Sequence, residues 1–149
     1  MINVMVKRLL VTWQHPENAL FDDGAVLVNR RGERFCDERA CPDREIAIAA
    51  QPEKMAYILL DQRLAERYGQ WPHFISTAPE IAYAYVADYV RLRPDVTVQA
   101  DSLSRLADAR GLPSAAVVAT IDRFNRYVRG EETDPFGRTG DREPLAGNR

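Results

Sequence analysis

The chain is predicted to adopt an α+β fold: a small mixed β-sheet that includes a β-hairpin, packed by helices of which the last two form a C-terminal αα-hairpin. Three observations predict it. Ala25 to Asn29 and Glu33 to Cys36 are short β-prone runs flanking Arg30-Arg31-Gly32, with glycine where a tight turn needs positive φ. Met55-Ala56-Tyr57-Ile58-Leu59-Leu60 is a continuous apolar run closed by Asp61, the pattern of a buried central strand. Val117, Ile121, Phe124 and Val128 recur at i, i+4, i+7 and i+11, an apolar helix stripe that must dock on a neighbour.

In chain order, Val4 to Trp13 is apolar, but Lys7-Arg8 breaks its alternation and leaves helix and strand both open. His15-Pro16-Glu17-Asn18 reads as a turn. After the hairpin, Asp43 or a neighbour caps a short helix through Gln51, with Ile46 and Ala49-Ala50 expected to face inward, and Pro52 stops it. Asp61 caps a helix from Gln62 to Tyr68, with Gly69 as its stop. Trp71-Pro72-His73-Phe74 is an aromatic loop that either plugs the core or lines a pocket.

Thr77 and Pro79 announce a helix to about Leu92, with Tyr85, Val86 and Tyr89 on one face, read as core with hydroxyls at the rim. Val96-Thr97-Val98 is a brief strand. Asp101 or Ser102 caps a helix holding Leu103, Leu106 and Ala107 and ended by Gly111; Pro113 opens the longest helix, to Arg129 before Gly130. From Glu131 onward turn-forming and charged residues dominate, and the last nine have little reason to be ordered alone.

At 149 residues the chain fits one domain with a real core, and 46% hydrophobic and 28% charged residues are ordinary for a globular protein. A net charge of −2 with interspersed signs argues against a nucleic-acid partner. No run of eighteen apolar residues argues for a membrane span, and Met1 to Trp13 lacks a signal-peptide pattern, so a cytoplasmic protein is expected. Cys36 and Cys41 form a C-x4-C pair without a second pair, far in sequence from His15 and His73; reduced structural thiols are preferred over a metal or disulfide site.

Glu33, Asp37 and Glu38 beside Arg34 and Arg39 read as a charged strand-end network of surface pairs worth under about 1 kcal/mol each. Ser76-Thr77, Ser102 and Ser104 lack a neighbouring His and Asp to activate a nucleophile, and His73 fits an aromatic-loop residue better than a general base.

Gly24-Ala25-Val26-Leu27-Val28-Asn29-Arg30-Arg31-Gly32-Glu33-Arg34-Phe35-Cys36-Asp37-Glu38 resembles a signature of the FAD-dependent fumarate reductase, succinate dehydrogenase and 3-ketosteroid dehydrogenase-like flavoproteins. Ser102-Leu103-Ser104-Arg105-Leu106-Ala107 with Gly111-Leu112-Pro113, then Ala119 to Asn125, then Asp134-Pro135-Phe136-Gly137-Arg138 match further family segments in order. The resemblance implies a substrate-capping domain over residues 24–130. Residues 1–23 would be a hinge from a missing FAD-binding body, and 131–149 a poorly ordered connector.

It also implies FAD as cofactor, with hydride passing between flavin and a C–C bond next to a carbonyl or carboxylate of a small-molecule substrate, and a flavin body or partner chain to hold it. None of the eight glycines has the G-x-G-x-x-G spacing of a dinucleotide site, so this chain alone is expected to be inactive. The family's proton-donor Arg falls on Pro42, which leaves Arg39 and Arg44 as catalytic candidates, each also suited to a solvated salt bridge. Arg34 and Glu38 are carried over only as residues of the hairpin's architecture near the active site; with His73, which the resemblance does not supply, they are the substrate-binding candidates. The rival reading is a stand-alone, non-catalytic binding module that self-associates through an exposed face, with Trp13, Phe21, Trp71 and Phe74 as its candidates.

Overall fold

The computed structural model describes residues 16–78, 81–141 and 143–146. The undecided segment Val4 to Trp13, His15 at the head of the expected turn, and Pro79 lie outside them. The elements run α1 (Asn18–Asp22), β1 (Val26–Val28), α2 (Asp43–Ala49), a 3-10 turn (Pro52–Lys54), β2 (Tyr57–Leu59), α3 (Gln62–Arg67), β3 (Ser76–Ala78), β4 (Ile81–Ala84), α4 (Val86–Leu92), α5 (Leu103–Ala109) and α6 (Ser114–Val128). The class is α+β, as expected. Its strands form two separate two-stranded antiparallel sheets, β1–β2 and β3–β4.

The hairpin expected across Arg30-Arg31-Gly32 takes another form. The turn itself is present: Asn29 Oδ1 accepts the Arg31 and Glu33 N–H groups at 2.9 and 3.1 Å, and Gly32 has φ 74°. A Cβ at Gly32 would lie 2.9 Å from the Val117 side chain, and Thr120 Oγ1 donates to the Gly32 carbonyl at 2.6 Å, so the turn is pressed onto α6. Residues 33–36, however, form no strand. β1 pairs instead with β2, Leu27 opposite Ile58, so the run expected to be a central strand is β1's single partner and only Leu59 is fully buried in it.

The other edge of β1 is closed mainly by side chains. The Leu27 N–H donates to Glu38 Oε1 at 3.2 Å, the Ala25 carbonyl accepts from Arg138 Nη1 at 2.9 Å, and Asn29 N–H reaches the Glu33 carbonyl at 3.0 Å. Residues 25, 27 and 29 point to one edge of a strand by its twofold alternation, so ionised groups from distant segments satisfy the donors and acceptors a second hairpin strand would have taken.

One helix expectation holds and one shifts. Asp61 caps α3 as predicted, its Oδ1 accepting the Leu64 N–H at 2.9 Å. The helix expected from Pro79 begins only at Val86, because β3 and β4 occupy the preceding stretch; Asp88 reaches back to the Tyr85 N–H at 3.0 Å to start it. Val86 and Tyr89 do face the core, and the Tyr89 hydroxyl bonds Ser76 Oγ at 2.5 Å. Val96 to Val98 are in turn and coil rather than strand.

The αα-hairpin α5–α6 is present, with Ser102 Oγ accepting the Arg105 N–H at 3.3 Å and Val117, Ile121 and Phe124 buried. The C-terminal stretch is more engaged than expected. Leu145 is buried and exchanges hydrogen bonds with the Asn125 side chain at 2.8 and 2.9 Å, while Asp134 and Arg138 are buried beside α6.

Candidate functional site

The charged residues around Glu38 are an interior cluster, not the surface network expected for them. Glu38 and Arg138 have no exposed side-chain area, and Arg34 and Asp134 almost none. Arg34 grips both Glu38 oxygens at 2.8 Å and donates to Asp134 Oδ2 at 2.8 Å. Arg138 donates to Glu38 Oε2 at 2.9 Å, to Asp141 at 2.6 Å, and to the Phe21 carbonyl at 2.9 Å. Phe124 of α6 lies under both guanidinium groups, each 4.9 Å from its ring centre, and Phe136 lies 5.3 Å from Arg34.

Burial works against charge at Glu38, Arg34 and Arg138, and pairing overcomes it. Burial alone would raise the Glu38 carboxyl; Arg34 and Arg138 hold it below its ordinary value. Burial would likewise lower Arg34 and Arg138, and their carboxylate partners raise both. The neighbouring Cys36 thiol is pushed up to about 12, first by burial and then by the Glu38 charge, which keeps it protonated and unreactive near neutrality.

The segment from Asp37 to Arg44 hangs from this cluster and carries the sequence-predicted catalytic candidates. Arg39 keeps part of its side chain in solvent, lies 3.7 Å from Asp37 and donates to the Thr139 carbonyl. Pro42 follows a cis peptide bond and stands at the start of α2. Arg44, expected to be solvated, is 1% exposed. Its guanidinium donates to the Glu38 carbonyl and Asn18 Oδ1, each at 3.0 Å, and to Glu45 at 2.6 Å, and it stacks 4.3 Å from the Phe21 ring centre. All three of its side-chain nitrogens are engaged, and the bond to Asn18 ties α2 to α1.

His73 belongs to a different corner. It is half-buried, 5.6 Å from the Tyr68 ring, whose phenol donates to Asp23 at 2.7 Å and is pushed up by burial and that carboxylate. Beside it Trp71, Phe74 and Tyr83 form an aromatic corner, with ring centres 5.1 and 4.7 Å from Tyr83. Trp71 is largely exposed and Phe74 partly so, whereas Phe21, named with them as a surface candidate, is in the core; Trp13 lies outside the described residues. Arg34 and Glu38 are thus joined to each other, and His73 is apart from them. Sequence reasoning misses Asp134, Arg138 and Asp141 as their partners, although Asp134 to Arg138 stands out as a motif.

Among the described residues nothing suits a dinucleotide. Both sheets are antiparallel, and the positive-φ glycines Gly24, Gly32, Gly111, Gly130, Gly137 and Gly140 sit in turns, bends or coil, with no strand–G-x-G-x-x-G–helix arrangement. The residues therefore do not fit FAD. No described group of three or more His, Cys, Asp or Glu has metal-site geometry, and no described helix is long and apolar enough to cross a membrane.

This fold is an α+β lobe built around a buried charge cluster. The chain is similar in sequence to one segment of fumarate reductases and 3-oxosteroid dehydrogenases. It is 30% identical over 118 residues to a fumarate reductase (cytochrome) of Shewanella frigidimarina, covering 78% of this chain and 18% of that protein. It is also 30% identical over 125 residues to a 3-oxosteroid 1-dehydrogenase of Mycobacterium tuberculosis, covering 77% of this chain and 21% of that protein. No family model matches.

In solved structures the same fold occurs in the open conformation of a flavocytochrome c3 fumarate reductase, with TM-score 0.69 and 23% identity over 91% of this chain and 22% of that one. It occurs again in a solution structure of a fumarate reductase flavoprotein subunit from Lactobacillus plantarum, with TM-score 0.53 and 23% identity over 81% of this chain and 74% of that one. The chain thus spans about a fifth of the curated relatives it matches.

Proposed function

We propose that residues 24–130 are the substrate-capping lobe of an FAD-dependent oxidoreductase acting on a C–C bond next to a carbonyl or carboxylate. The supporting observation is that one segment of this chain is shared by relatives named for two unlike substrates, a fumarate and a 3-oxosteroid. Common to those substrates is a C–C bond activated by an adjacent carbonyl group. FAD would be held by a body other than these residues, in the same polypeptide or in a partner chain, and the 149-residue chain alone would be inactive.

The lobe's own contribution is to cover the site, exclude water and present the segment from Asp37 to Arg44 to it. Within that segment Arg39 is the residue assigned to substrate contact and proton donation, since its side chain is partly exposed while Arg44 has its nitrogens engaged in the interior. Arg34 and Glu38 support that segment from behind.

The test is to isolate the complete gene product with any stably bound partner from its native host. Flavin would be measured by absorbance, and turnover assayed with fumarate-like enoates and 3-oxosteroids. Bound flavin and turnover of one substrate class are expected, with a drop of roughly 10²–10⁴-fold in Arg39→Gln at unchanged flavin content. A preparation without flavin would overturn the reading.

A second reading, an independent binding or self-associating module, is favoured by the exposed Trp71 corner and by the occurrence of this fold in a solved chain of comparable length. Concentration-dependent dimers abolished by Trp71→Ser in sedimentation runs would support it.

A further inference from the structure

Helix α2 is turned inside out relative to its sequence pattern. Ile46, Ala49 and Ala50, expected to face the core, are exposed, and at 65% Ile46 is the most exposed of the large hydrophobic side chains described. Together with exposed Pro42 they fall at i, i+4, i+7 and i+8, one face of the helix. The inward face is Arg44, with Ile48 partly buried against the core. Arg44 has enough partners to be the anchor, which leaves an apolar ridge without a neighbour among the described residues.

We propose that this Pro42–Ile46–Ala49–Ala50 ridge is the face on which the lobe seats against an apolar surface of the flavin-bearing body. The inference rests on the capping reading and adds where the contact is made. Size selects this occupant over a second copy of the chain. A seven-residue helix is about 10 Å long, and four small or medium side chains offer on the order of 200 Å². A stable complex of free partners buries about 800 Å² on each side. A contact that small holds only when the partner is already kept close, where a high effective concentration substitutes for intrinsic affinity. It also releases readily, as a lobe that must admit substrate requires. The ridge begins at Pro42, three residues beyond Arg39, so seating it brings the Asp37 to Arg44 segment to the body.

The experiment is photo-crosslinking of the complete gene product in its native host. p-Benzoyl-phenylalanine replaces Ile46 in one sample and Trp71 in another, both exposed sites. Crosslinked peptides are identified by mass spectrometry, and flavin in the adduct or its parent protein by fluorescence. Crosslinks from position 46 to a flavin-containing body, within one polypeptide or between chains, are expected, with few or none from position 71. Crosslinks to the flavin body from position 71 alone would overturn the α2 assignment and leave the capping reading standing. Crosslinks from position 46 to a second copy would overturn it in favour of self-association. No flavin-linked adduct from either position would overturn both readings.

Discussion

The α5–α6 hairpin and the Glu38 cluster lie side by side, joined through Phe124, and they are stabilised by opposite means. In α6 the buried groups are apolar and local: Val117, Ile121 and Phe124 recur with the helix period, and each interacts favourably on being removed from water. In the cluster the buried groups are ions gathered from positions a hundred residues apart, Arg34 and Glu38 from one segment, Asp134 and Arg138 from the other. Each ion there is unfavourable alone and is tolerated because its partners and hydrogen bonds are complete. The first region degrades gradually when trimmed. The second fails as a unit.

The sharpest way to break this contrast is Glu38→Ala, which leaves Arg34 and Arg138 buried without their shared carboxylate. A loss of about 3–5 kcal/mol in urea unfolding is expected, in line with the cost of unpairing one partner of a buried pair. A loss under about 1 kcal/mol would show that solvent reaches the cluster and that it behaves as the surface pairing expected from sequence.

Acid should separate the two regions next. The folded Glu38 carboxyl lies below its ordinary value of 4.5, so the unfolded chain takes up the proton first as pH falls. The stabilisation is therefore complete above about pH 4.5 and is lost as pH drops through the folded value. Arg34 and Arg138, held above their ordinary values, stay charged throughout that window. Acid titration of stability should steepen below pH 4.5 in the parent chain, and much less in Glu38→Gln.

The smallest effect sharpens the apolar side of the comparison. Ile121→Val and Ile46→Val remove the same methylene, one inside α6 and one on the exposed ridge of α2. About 0.5–1.5 kcal/mol should be lost at position 121 and close to nothing at position 46 in matched unfolding curves. Equal losses would mean that Ile46 is buried in the folded protein, and the ridge would have to be abandoned as a docking face.

At Asp61, at Ser102 and along α6, the sequence signal and the structure agree. Asp61 and Ser102 start their helices, and the α6 stripe is buried as its spacing requires. The Gly32 turn is legible too, but the absence of a strand after it is not, because strand identity depends on which edge a distant segment reaches first. The same limit hides the site. Arg34 and Glu38 stand out in the sequence, and so does the Asp134 to Arg138 motif, yet nothing local joins them. Arg44 and Ile46 exchange expected places because hydropathy ranks isolated side chains, whereas Asn18, Glu45, the Glu38 carbonyl and the Phe21 ring are supplied by the fold.

By itself the sequence determined the α+β class, the starts of α3 and α5, the αα-hairpin and the likeness to fumarate reductases and 3-oxosteroid dehydrogenases, all of which rest on short-range stereochemistry, apolar periodicity or matched motifs. Only the tertiary structure decided that β1 pairs with β2, that its free edge is closed largely by Glu38 and Arg138, and that α2 turns its arginine inward and its isoleucine out. A buried charge is stable only in the company of partners brought by long-range folding, and no window of sequence contains that company.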